Sequence, residues 1–217
     1  MDIAKLRSPT KAFKAQLNRL QTNLRVENDT FNEEFIKSDG IGKILNLLSR
    51  MGVAGSEDTT WIAVGLRCLT YTFVYLTGVN YLRQRPHLFD RLFDLLPLKS
   101  ATPGPTQFEV RSLVVSIYIG LCKFMKNAFT YLNRAAVNTA RRSSQSPYST
   151  LLGCFQVPDL ELRVQVLTLI NWMLFKCPTE KKLCKFLSRL ENMGIYDDLR
   201  ALAKERRPDI LEQLKNF

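Results

Sequence analysis

Three long segments, residues 58–76, 107–125 and 159–175, are apolar around most of a helical circumference, and they constrain the fold more than any other feature of the chain. The first carries Trp61, Val64, Leu66, Leu69, Phe73 and Leu76; the third carries Leu162, Val166, Leu169, Ile170, Met173 and Leu174. In the second, VVSIYI (114–119) is the best strand candidate in the sequence, yet it lacks the polar–apolar alternation of a half-buried strand. Upstream, Thr106-Gln107-Phe108-Glu109 has the spacing of a capping box, in which hydroxyl and carboxylate satisfy free backbone N–H groups. This segment therefore reads as helix too. A helix apolar on nearly every side needs neighbours to cover it.

Short apolar helices alternate with these segments, starting near residues 41, 87, 148 and 195. Equivalent elements recur at offsets of roughly 45 to 60 residues, close to the period of about 40–47 of armadillo and HEAT repeats. Each such unit buries its long helix against the next, which explains helices with little exposed face. The expectation is an all-α, armadillo/HEAT-like right-handed helical solenoid of about four repeats. It would form one domain over 1–217, with a short leader helix at 9–26. An irregular helical bundle is the alternative. Local signals punctuate the pattern. Ser8-Pro9 opens the leader helix, whose apolar stripe is Phe13, Leu17, Leu20 and Leu24. Thr30 and Glu33 make another capping box, Gly78 ends the first long segment, and Thr179 caps a helix over 180–191. Gly194 and Pro208 mark the last two helices.

Hydrophobic residues at 46% and charged residues at 24% exclude a disordered, collagenous or extended coiled-coil chain. The start, MDIAKLRSPTKAFKAQ, lacks the apolar core of a signal peptide. The nearest approach to a membrane span, Leu113–Leu121, is too short to cross a bilayer. Cys68, Cys122, Cys154, Cys177 and Cys184 lack CxxC spacing and sit in apolar surroundings, as buried thiols of a reducing, cytoplasmic compartment do. His87 is the single histidine, so HExxH is impossible and any Ser-His-Asp or Cys-His arrangement depends on one residue at a helix start. Neither a GxxxxGK[ST] loop nor GxGxxG occurs. Asp197 and Asp198, being adjacent on a helix, point apart. No catalytic residue, cofactor or metal site is expected.

The net charge of +11 is unevenly spread. Segment 101–150 holds six basic residues and one acidic, and no Asp or Glu occurs between Val110 and Pro158. Arg111, Lys123, Lys126, Arg134, Arg141 and Arg142 all lie there. Such a patch suits an acidic protein segment, an anionic membrane surface or nucleic acid; a solvated ridge is the alternative. Nucleic-acid readers add projecting aromatics, a zinc module or a recognition helix. Tyr118, Phe124, Phe129 and Tyr131 have helical spacing and are expected in the core, so nucleic acid is disfavoured. Arg141-Arg142-Ser143-Ser144 also suits tuning by phosphorylation.

Several phrases resemble a known family. LNRLQTNLRVENDTFNEEFIKSDGIGKILNLLSRM is similar to the opening of the armadillo-type GTPase-binding/FH3 region of diaphanous-related formins. RCLTYTFVYLTGV resembles the helix that follows there, and VQVLTLINWMLFKCPTEKKLCKFLSRLENMGIYDDLRALAKERRPDILEQLKNF resembles the later part. The resemblance implies a diaphanous inhibitory domain, whose concave surface binds an autoregulatory helix that a Rho-family GTPase displaces, controlling actin assembly at the cell cortex or cytoskeleton. It also implies groove positions on the long helices. Phe73, Val74 and Tyr75 match a Met-Asn-Asn element, and Gly120 and Lys123 match an Ala and an Ile that take up the autoregulatory helix. Ile119, Leu169, Asn171 and Trp172 complete the expected groove, with Asn171 offering donor and acceptor together. The Asn pair is absent here and a lysine replaces an apolar residue, so Lys123 is expected to be exposed or paired and the ligand to be more acidic. INWMLFKCPTEKK and the later RRP also resemble the armadillo region of the engulfment and cell motility (ELMO) scaffolds, which implies a Rac exchange factor as partner instead.

Overall fold

The computed structural model describes residues 11–26, 29–53, 59–97 and 105–217. Among them lie thirteen α-helices, one 3-10 turn and no strand. The helices follow a cycle of three: α1 (Lys11–Arg25), α2 (Asp29–Lys37), α3 (Gly40–Val53); then α4 (Thr60–Phe73), α5 (Leu76–Gln84), α6 (His87–Phe93). Next come α7 (Pro105–Phe124), α8 (Ala128–Ser143) and α9 (Ser149–Leu152), extended by a 3-10 turn at Gly153–Gln156; then α10 (Leu160–Phe175), α11 (Glu180–Asn192), α12 (Ile195–Ala203) and α13 (Pro208–Asn216). The fold is all-α and armadillo/HEAT-like. Backbone packing divides the chain into two compact units, Met1–Val114 and Val115–Phe217, the division falling within α7. No single helix among the described residues is long and apolar enough to cross a membrane.

In the first unit α4 packs on α1 and α3, and α3 also meets α2 and α6. Ile41, Leu45 and Leu48 of α3 and Ile62, Leu66 and Leu69 of α4 are fully buried. Gly65 lets these two helices approach, since a Cβ there would lie 2.7 Å from Leu48 Cδ2. The first long apolar segment is not one helix. α4 and α5 bend by 108° at Val74–Tyr75, and Gly78 lies inside α5 instead of ending the segment. A Cβ at Gly78 would sit 2.4 Å from the Thr72 carbonyl oxygen, so glycine is needed for close passage over the end of α4. Thr30 and Thr106 likewise fall inside helices that begin at Asp29 and Pro105, so neither acts as the expected cap. Ser8-Pro9 lies outside the described residues.

In the second unit α10 is enclosed by α8, α13 and the 3-10 turn. Leu162, Val166, Leu167, Leu169, Ile170 and Met173 are inaccessible to solvent. Asp159 Oδ1 accepts from the Leu162 backbone N–H at 3.0 Å, starting α10, and Thr179 Oγ1 accepts from that of Lys182 at 3.4 Å, starting α11 as expected. Gly194 adopts φ +83° at the turn into α12. Phe186 packs against Phe129 and Tyr148, with ring centroids 5.5 and 5.0 Å apart.

Side-chain contacts expose the repeat directly. Within the first unit Tyr81 Oη donates to Asp39 Oδ1, and Arg67 Nη2 to Glu109 Oε1. Within the second, Gln156 Nε2 donates to Asp198 Oδ1 at 2.5 Å, and Asn171 Nδ2 to the Gln213 carbonyl at 2.7 Å. Each pair is 42 residues apart in sequence. A polar contact recurring at one repeat length is what stacked, equivalent units produce.

Candidate protein-binding surface

Thr168, Asn171 and Trp172 of α10 are half-buried and Phe175 is exposed. With Gln213 and Asn216 of α13 they line a cleft of about 360 Å³. Asn171 is the hinge of this surface. Its Nδ2 donates to the carbonyl of Gln213 at 2.7 Å and to Gln213 Oε1 at 3.1 Å, joining α10 to α13. Its Oδ1 is buried and accepts no hydrogen bond from the described residues. Trp172 and Phe175 meet edge to face with centroids 5.8 Å apart, and Lys176 Nζ lies 5.7 and 5.5 Å from the two rings. Phe175 is 75% exposed, although aromatic.

Near the end of α7, the Cys122 thiol feels the charge of Lys176. Ile119 and Gly120 are half-exposed, and Lys123 is exposed as its sequence position demanded. A Cβ at Gly120 would meet nothing within 4 Å, so the helix presents open surface there. Phe124, expected in the core, is 67% exposed. In the first unit Val74 is exposed at the α4–α5 bend and Tyr75 half-buried. Two expected groove residues are placed otherwise. Leu169 is fully enclosed and Phe73 only 8% exposed, so neither offers a face to a ligand.

The basic residues do not form one continuous stripe on a single helix. Arg111 is half-buried in the first unit, whereas Lys126, Arg141 and Arg142 are exposed in the second. Arg134 lies over the Tyr131 ring at 5.9 Å, and Arg142 Nη2 donates to Thr139 Oγ1 at 3.1 Å. Sequence reasoning missed a second set of cations: Lys182, Lys185 and Arg189 of α11 face Thr130, Asn133 and Val137 of α8 across a cleft of about 220 Å³. Their segment, 151–217, carries eleven basic and nine acidic residues, so a charge count by segment conceals them. The i, i+3, i+7 spacing on one helix face was the available signal.

Among the described residues no three His, Cys, Asp or Glu side chains converge to hold a metal ion. Burial pushes the Cys68 and Cys122 thiols up to about 12, far from a reactive thiolate. Cys154 is buried as well, but Cys177 is half-buried and Cys184 exposed, against the expectation of five buried thiols. His87 is exposed at the start of α6.

Comparison with known proteins adds the family. The family model described as the FHOD1/3 FH3 domain matches residues 60–197, from α4 into α12. Formin-G of Dictyostelium discoideum is 28% identical over 194 residues, covering 89% of this chain and 17% of that protein. Formin-C of the same organism is 27% identical over 185 residues, covering 85% of this chain and 15% of its own length. The chain thus spans less than a fifth of the length of these curated relatives.

Proposed function

The chain belongs to the FHOD1/3 FH3 domain family, and from that premise we propose that it is a non-catalytic regulatory domain that binds a helical protein segment over α10 and α13. In this reading it acts within Rho-family GTPase control of formin-driven actin assembly, a GTPase competing with the bound segment. The similarity to Formin-G and Formin-C supports the formin assignment over an ELMO-type scaffold.

The observation that carries the proposal is the cleft in which the Trp172 and Phe175 rings stand beside Asn171 and Gln213, with Phe175 largely exposed. The flanking rings supply apolar area, and interface energy concentrates on such aromatic anchors. Gly120 allows a ligand backbone to approach α7 closely. Lys123 at the margin of this region favours a segment with an acidic end.

The test is isothermal titration of the chain with overlapping peptides from the C-terminal regions of Formin-G and Formin-C. One amphipathic helical peptide is expected to bind, and Phe175→Ala to weaken it about tenfold or more, as for an aromatic anchor. Phe175 is exposed, so its removal leaves the fold intact. If no peptide binds, or if Phe175→Ala binds as tightly as the parent, this surface is not the site.

A further inference from the structure

The proposed groove leaves the cleft between α8 and α11 unused. Thr179 fixes the start of α11, and with it the face on which Lys182, Lys185 and Arg189 fall. Along the helix axis these three cations follow one another by about 4.5 and 6 Å. Asn133 and Thr130 supply hydrogen-bonding groups on the opposite wall, and Asn133 is held in place by the Tyr148 hydroxyl, which donates to its Oδ1 at 2.6 Å. Phe129 and Phe186, edge to face, form a rigid apolar floor.

The electrostatics are one-sided. Among the described residues no carboxylate lines the cleft, and α8 contains none. Among the described residues neither lysine nor Arg189 forms an ion pair. Lys182 and Lys185 are exposed and Arg189 is half-buried, so the row runs from the rim inward. Like charges along a concave, partly apolar wall reinforce one another's field and attract an anionic ligand.

We propose that this cleft is a second docking site, which receives an acidic polypeptide segment whose carboxylates meet Lys182, Lys185 and Arg189 in turn. Its shape favours a chain over a bilayer. The cations line a recess between two helices, where an extended or helical segment enters, whereas a membrane surface is met by cations that project from a flat or convex face. The acid-free run from Val110 to Pro158 then has a physical purpose: it keeps α8 from neutralising the opposite wall.

Fluorescence anisotropy of a labelled octaglutamate peptide, at physiological ionic strength, tests the site on the whole chain, with octaglutamine as the neutral comparison. Lys182→Glu/Lys185→Glu reverses charge in the cleft; Arg83→Glu/Arg91→Glu makes the same change at exposed positions of α5 and α6. Octaglutamate is expected to bind and octaglutamine not. The cleft variant should lose up to about fivefold for each charge reversed, the upper range for an exposed ion pair. The comparison variant should bind like the parent, because neither of its charges lines the cleft. Equal weakening by both variants, or no octaglutamate binding, overturns the site. So does co-sedimentation with phosphatidylserine-containing vesicles that only the cleft variant loses, without peptide binding, since it would assign the cations to a membrane.

Discussion

Gly120→Ala distinguishes a glycine that packing requires from one that keeps a surface open. Gly120 lies within α7, near its C-terminal end, and has no positive φ that would exclude a side chain. Alanine is favoured over glycine inside a helix by about 0.8–1.0 kcal/mol, somewhat less close to a terminus. Because a Cβ there meets no heavy atom within 4 Å, no steric term opposes that gain. The expected result is a stabilisation of about 0.5–1 kcal/mol. Urea unfolding followed by circular dichroism would show it as a midpoint raised by about 0.3–0.5 M at a slope near 2 kcal/mol/M. Gly65→Ala is the internal comparison. It gains the same propensity, but its Cβ would press on Leu48 Cδ2 at 2.7 Å, and Leu48 is fully buried. Overpacking of this kind costs about 1–3 kcal/mol, so the net effect should be destabilising. The same Gly120→Ala variant should nevertheless hold the helical segment less tightly, as the new methyl group occupies surface the ligand approaches. A destabilised Gly120→Ala, or identical behaviour of the two variants, would refute the reasoning.

Other perturbations reach different parts of the account. Asn171→Ala removes both donor contacts to Gln213, and should cost about 1–3 kcal/mol, with faster amide exchange in α13 as the readout. Arg207 hydrogen-bonds Asp209 at 2.7 and 3.1 Å and Glu161 at 2.7 Å, and the Arg207 hydrogen bonds hold the Asp209 carboxyl below the usual carboxylate range. A lowered folded-state value gives stability that is present above the unfolded value of about 3.9 and is lost as pH falls through the folded one. Asp209→Asn should therefore be less stable than the parent at neutral pH, and the gap in urea midpoints should close on acidification below the folded value. With Ellman's reagent at mildly alkaline pH, Cys184 should react first and Cys177 more slowly, because desolvation raises the latter's thiol. Cys68, Cys122 and Cys154 should react only on unfolding; a rapid third equivalent would contradict their burial.

The long apolar segments made the helical repeat legible because burial leaves a signature all round a helix, as at Val166 and Ile170 of α10. Thr179, Gly194 and Pro208 marked boundaries correctly, since capping and turn chemistry act locally. The α4–α5 bend is not legible in the sequence, for a tertiary reason. Gly78 resembles a helix breaker in sequence, but its role is to pass close to the Thr72 carbonyl, a contact that only the folded chain creates. The 42-residue polar contacts were invisible in the same way, because Asn171 and Gln213 carry no mark of pairing until their helices stack. Leu169, expected in the groove, is enclosed because it sits about 200° around the helix from Asn171, a difference that only the packing of α10 turns into burial. The basic cleft was half legible: the acid-free run showed in sequence, but its counterpart on α11 was hidden by nearby acids that face elsewhere.

Hydrogen–deuterium exchange of the whole chain, with and without the helical formin peptide that binds it, tests the central claim most directly. The account predicts slowed exchange in Thr168–Lys176 and Pro208–Asn216, extending to Ile119–Phe124, with α11 unchanged. Protection confined to α8 and α11, or absent from both α10 and α13 under saturating peptide, would contradict it.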